Sequence, residues 1–135
     1  MVNFNDFEQY ANPKNLQEVC FETAAARGTF GKITSGNYGF PGSGMNGIIL
    51  HGPVGAGKTT LARMIPDLIE GTNIGMDCPW REEYNIAKGN SGVAFINSVD
   101  NFCYSSNLTG KYTYVILNEV NNLSADAMSQ LKSIM

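Results

Sequence analysis

At 135 residues, 43% hydrophobic and 16% charged, the chain has the make-up of a single globular domain with room for one core. A net charge of −3 and a pI near 5.0 exclude a surface that grips DNA or RNA by charge alone, though not a nucleic-acid partner reached through other subunits. No leader with a basic start and an apolar core opens the sequence, and no apolar run nears the ~18 residues that span a bilayer, so a cytoplasmic protein without a membrane partner is expected.

In chain order, the first periodic stretch predicts a helix from Lys14 to Arg27, capped by Asn12, with Pro13 in its first turn and Gly28 at its exit. Leu16, Val19, Cys20 and Thr23 would share its buried face. Seven glycines between 28 and 47 predict a long loop, because glycine loses the most backbone entropy on ordering. Ile48-Ile49-Leu50 has the apolar character of a strand buried on both faces. From Lys58 a helix is predicted with Leu61, Ile65, Leu68 and Ile69 inward, kinked or broken at Pro66. Residues 71–90 give little periodicity: a weak strand at 73–77 is the most they support, and Trp80 is read as a packing residue. Residues 91–104 predict a helix aligned on Val93, Ile96, Val99 and Cys103. Tyr112 to Leu117, β-branched and aromatic, is the clearest strand, and Asn118-Glu119 ends it. A last helix opens at Ser124, with Asp126 in its first turn, Leu123 stapling onto Met128, and Met128, Leu131 and Met135 as its stripe. That stripe has no exit signal, so the helix is expected to continue past Met135. Cys20, Cys78 and Cys103 are odd in number and widely spaced, which reads as free thiols, and the single His51 cannot complete a zinc site.

The chemistry concentrates at His51-Gly52-Pro53-Val54-Gly55-Ala56-Gly57-Lys58-Thr59-Thr60, which contains Gly, four residues, then Gly-Lys-Thr. Each residue type has a task in holding phosphates. The glycines allow a tight turn whose backbone N–H groups face an anion, and the helix that follows adds its positive end. The Lys58 ammonium suits β- and γ-phosphate oxygens, the Thr59 hydroxyl suits a Mg²⁺ shell, and Thr60 suits the α-phosphate. Gly52, Pro53, Val54, Gly55, Ala56, Gly57, Lys58, Thr59 and Thr60 therefore form the expected ATP-binding set. Hydrolysis needs in addition a group that orients water and an oxygen that helps hold the metal. Ligands sit at the carboxyl ends of parallel strands, which nominates Glu119 as catalytic alongside Lys58, and Asn118 with Thr59 as the metal-side residues. Asn118 is neutral where a carboxylate is expected, so on charge alone Asn118→Asp should raise turnover.

Tyr114-Val115-Ile116-Leu117-Asn118-Glu119, the turn after it and Leu123-Ser124 resemble the Walker B segment and following helix of AAA+ ATPases of the clamp-loader type. The loop from Ile49 to Arg63 is similar to the P-loop of that family. The run from Tyr10 to Val19 resembles its opening Tyr-Arg-Pro segment, which flanks adenine, and this adds Tyr10 and Pro13 to the nucleotide-binding set. The resemblance implies an α/β P-loop NTPase fold: a doubly wound parallel sheet with flanking helices. The chain would then be part of such a domain, with an N-terminal helix segment over 1–28, a glycine-rich loop over 28–47, and P-loop to post-Walker B helix over 48–135. It further implies a sensor strand beyond Met135 that separates the P-loop strand from the Walker B strand. ATP with Mg²⁺, other AAA+ subunits in an oligomer, and DNA with a sliding clamp reached through the assembly are its implied partners. The function expected is an ATP-binding, ATP-hydrolysing subunit in DNA replication. The sequence departs from the family at Asn118 and lacks the arginine of the opening segment, which leaves an ATP-holding subunit without turnover as the alternative. A small phosphotransferase is a weaker one, because its lid needs arginines and the chain has only Arg27, Arg63 and Arg81.

Overall fold

The computed structural model describes residues 13, 15–37, 39–40, 42, 44, 46–71, 81–105 and 112–135. They form four α-helices, two short 3-10 turns and a two-stranded parallel sheet, so the protein is of mixed α/β type.

The N-terminal part departs from the predicted helix over 14–27. Asn15 caps a 3-10 turn at Leu16–Glu18, its Oδ1 accepting from the N–H of Gln17 at 3.0 Å and of Glu18 at 3.1 Å. The chain then runs extended to Thr23, whose Oγ1 accepts from the Ala26 N–H at 3.1 Å and starts α1, Ala24–Thr34. This helix passes through Gly28 and Gly31, so the predicted glycine loop begins later than expected. Three alanines at its start favour the helix, and Phe30, 5% exposed against Phe21, anchors it. Burying that ring contributes about 1.5–3 kcal/mol, which offsets the ~1 kcal/mol each interior glycine costs relative to alanine. Gly36, with φ at 82°, turns the chain out of the helix.

The strand predicted over Ile48–Leu50 is absent. Residues 46–52 carry no ladder, and Ile49 is 75% exposed, since no strand among the described residues lies alongside to pair with them. Helix α2, Lys58–Glu70, follows and runs through Pro66 as one element, so of the predicted kink or break the break does not occur. Pro66 is fully buried, and packing of its ring offsets part of the cost of the missing backbone bond. Gly71, with φ at 70°, closes α2.

Strand β1, Arg81–Asn85, then helix α3, Val93–Cys103, then strand β2, Tyr114–Asn118, make a β-α-β unit. The strands pair in parallel, with Arg81 opposite Tyr114, Glu83 opposite Ile116 and Asn85 opposite Asn118. Strand β1 was not foreseen; the weak strand proposed at 73–77, like Trp80, lies outside the described residues. The 3-10 turn Val120–Asn122 leads to helix α4, Ala125–Ile134, capped as expected by Ser124, whose Oγ accepts from the Ala127 N–H at 3.2 Å.

The register sorts the sheet into two faces. Tyr84, Val115 and Leu117 pack with Phe95, Ile96, Val99, Leu123 and Ala127 of α3 and α4 and the turn before α4, forming the main core. Tyr84 meets Phe95 edge-on, ring centroids 5.5 Å apart. Arg81, Glu83, Asn85, Tyr114, Ile116 and Asn118 share the opposite face, which α2 covers: Arg63, Asp67 and Glu70 of α2 reach Glu83, Arg81 and the Tyr112 N–H respectively. Three layers result, α2 over the sheet over α3 and α4. On its other edge β2 has no strand among the described residues. Where the chain approaches the P-loop, the Asn46 N–H donates to the carbonyl of Met135 at 3.3 Å, and Gly47 lies against the Met135 side chain.

Candidate functional site

The loop from Gly52 to Gly57 turns through three glycines with positive φ, 154° at Gly52, 78° at Gly55 and 82° at Gly57. Glycine holds all three at low cost where an L side chain would be strained, which is why the spacing is written in glycine. The Ala56 N–H donates to the Pro53 carbonyl at 3.3 Å and tightens the turn. Val54 stands fully exposed at its tip. Gly57 is the cap of α2 and no side chain bonds the helix's first N–H groups, so the positive end of a 13-residue helix opens onto the loop. The Lys58 ammonium folds back over this turn, donating to the carbonyl of Gly52 at 2.8 Å and of Pro53 at 2.7 Å. Two of its three donors are thereby fixed and the ammonium stays with the loop. Thr59 is exposed and Thr60 half-buried.

At the end of β2, Asn118 is half-buried and tied to the neighbouring strand. Its Nδ2 donates to Glu83 Oε1 at 2.6 Å and to Asn85 Oδ1 at 2.9 Å. Glu83 in turn takes two bonds from Arg63, Nε to Oε2 and Nη2 to Oε1, each 2.9 Å. The Arg63 guanidinium is the main reason the Glu83 carboxyl titrates below its ordinary range; burial works against it, and Asn118 adds to the lowering. Arg81 Nη1 donates to the Arg63 carbonyl at 2.7 Å and lies 3.9 Å from the buried Asp67 carboxylate. Arg63 follows Thr59 by four residues, so both lie on one face of α2. The network thus runs from the helix that begins at Lys58 to the strand end that carries Asn118.

Glu119 follows at once, exposed, with φ at 59° and ψ at 44°. It is the sole non-glycine residue with positive φ among those described. Its carbonyl accepts from the Asn122 N–H at 2.9 Å, which starts the 3-10 turn, and its carboxylate has no hydrogen bond or ion pair among the described residues. Of the residues assigned to adenine, Pro13 is half-buried and Tyr10 lies outside the described residues.

Nine expected residues, Gly52 to Thr60, are contiguous and form one turn and helix start; Asn118 and Glu119 form a second cluster linked to the same helix through Glu83 and Arg63. The sequence did not nominate Glu83, Asn85 or Arg63. The chemistry of the first cluster fits phosphates: N–H groups, an ammonium and a hydroxyl. No three His, Cys, Asp or Glu side chains among the described residues converge as a metal cage. The remaining oxygen donors, the Thr59 hydroxyl and the Asn118 amide oxygen, suit a Mg²⁺ carried mainly by phosphates and water. Cys20 and Cys103 are free thiols; burial is the main reason the Cys103 thiol titrates higher than usual. Among the described residues no helix is long and apolar enough to cross a membrane. Comparison with protein-family models, curated proteins and solved structures returned no match to the chain.

Proposed function

We propose that the chain binds a nucleoside triphosphate, ATP with Mg²⁺, on the turn from Gly52 to Thr60. One observation carries the reading: Lys58 folds its ammonium onto the Gly52 and Pro53 carbonyls at the uncapped start of α2. Backbone N–H groups, helix dipole and ammonium then act together on one anion. Lys58 would neutralise phosphate oxygens and Thr59 would meet the metal, whose contribution is to offset charge on the phosphates.

The narrower reading is an AAA+ ATPase subunit of the clamp-loader type, working in DNA replication with other AAA+ subunits, DNA and a sliding clamp. It rests on the resemblance of the P-loop and of Tyr114 to Glu119. A parallel β2 ending at Asn118-Glu119, below the helix that starts at Lys58, supports it. Glu119 is the residue to orient water. A second reading, ATP held without turnover, also has an observation behind it: Asn118 is neutral and both its N–H groups are engaged by Glu83 and Asn85.

Lys58→Ala tests the binding claim directly. Titration with a fluorescent ATP analogue should show at least a tenfold loss of affinity, about 1.4 kcal/mol. Equal affinity in the two proteins would reject a P-loop function.

A further inference from the structure

The carboxylate expected at the end of β2 has an equivalent one strand away. An ionised carboxylate only accepts hydrogen bonds. The 2.6 Å contact between Glu83 Oε1 and Asn118 therefore fixes which end of the amide is nitrogen, and Asn85 Oδ1 takes the second N–H at 2.9 Å. With both donors committed, the hydrogen-bonding capacity that Asn118 retains is its acceptor oxygen, Oδ1. Arg63 clamps Glu83 from the other side through two 2.9 Å bonds, so the carboxylate cannot swing away without breaking a two-point contact.

We infer that Glu83 is a positioning residue of the nucleotide site: it holds the Asn118 amide so that Oδ1 is the group β2 offers to a metal-bound water, and it carries the negative charge that Asn118 lacks. This rests on the nucleotide-binding function proposed for the loop. The arrangement has a consequence for charge. Asn118→Asp sets two carboxylates against each other where an N–H now meets an oxygen, although Arg63 and, further off, Arg81 offset part of the added charge. The single exchange should therefore weaken the metal-linked part of binding, contrary to what charge at position 118 alone suggests. Combining it with Glu83→Gln reverses donor and acceptor across the same contact and keeps one negative charge in the network.

The test is the affinity of the 135-residue protein for a fluorescent ATP analogue with and without Mg²⁺, in the wild type, Glu83→Gln, Asn118→Asp and the double variant, each also melted. The gain in affinity that Mg²⁺ brings should fall in both single variants by about tenfold, the scale of one charge-assisted hydrogen bond. The double variant, which has the wild type's net charge, should recover it. Single variants that melt lower but keep the wild-type Mg²⁺ gain would make Glu83 merely structural and overturn the assignment, as would a double variant as impaired as the singles. A wild type that binds the analogue without any Mg²⁺ gain overturns it too. No binding by the wild type would remove the proposed function itself, and Glu83's role with it.

Discussion

Glu119 keeps a backbone conformation that suits glycine. A non-glycine residue in the left-handed region costs roughly 1 kcal/mol, and Glu119 adopts it with φ at 59° at the point where β2 gives way to the 3-10 turn. Among the described residues its carboxylate makes no hydrogen bond or ion pair that would offset that strain. Glycine relieves that strain but frees the unfolded chain by about 0.4–1 kcal/mol, so Glu119→Gly should leave the melting temperature level or raise it by up to about 3 °C while removing whatever ATP turnover the protein shows. Glu119→Gln should leave melting unchanged and remove the same turnover. A glycine variant that melts lower would mean the carboxylate has a structural partner after all, and a glutamine variant with full turnover would move the water-orienting role elsewhere. At this scale, the glycine turn and the helix start at Lys58 were legible because they are contiguous, following one another along ten residues. Glu83 was not, because its meaning comes from Arg63, 20 residues earlier, and Asn118, 35 residues later, and only folding brings them together.

Elements were legible where one local preference dominated. The Ser124 cap, the helix now seen at Val93–Cys103 and the strand at Tyr114–Asn118 each had such a signal. Strand β1 had none: Arg-Glu-Glu-Tyr-Asn reads as solvated chain, yet it is an edge strand whose charges face α2 and solvent rather than a core. The reverse holds at Ile48–Leu50, where apolar residues imply a strand but no neighbour among the described residues completes one. Helix α1 overrode its glycines through Phe30, and α2 overrode Pro66 through burial, both being tertiary effects. Pro66 allows a quantitative check. Proline inside a helix costs about 3 kcal/mol; against this, its buried ring carbons contribute roughly 1–2 kcal/mol and its stiffening of the unfolded chain up to ~1 kcal/mol. Pro66→Ala should therefore leave stability level or raise it by up to about 2 kcal/mol in urea unfolding. A loss above ~2 kcal/mol would show that the ring fills a space alanine cannot.

Across the whole molecule, the layers differ in how they are held together. Apolar burial joins the sheet to α3 and α4, with Ile96 and Ala127 wholly inaccessible. Ion pairs and hydrogen bonds from Arg63, Arg81 and Glu70 do much of the work between the sheet and α2, the helix that begins at Lys58. The loop proposed to hold phosphate is thus mounted on the more polar interface, where a change at Glu83 reaches the helix carrying Lys58 without crossing the core.

Away from β1, the edge of β2 carries no strand among the described residues, and solvent deuterium can read the consequence. The Ile86 N–H donates to the Asn118 carbonyl at 3.0 Å, and with Asn85 opposite Asn118 this sets the phase of the parallel ladder. The amides of Ile116 and Asn118 then face β1, and those of Val115 and Leu117 face that other edge. In a monomer, Val115 and Leu117 should exchange their amide protons much faster than the residues on either side, an alternation within one strand. Equally slow exchange at all four would mean that backbone from another source had settled along that edge, and the pattern should then depend on protein concentration if the source is a second copy of the chain.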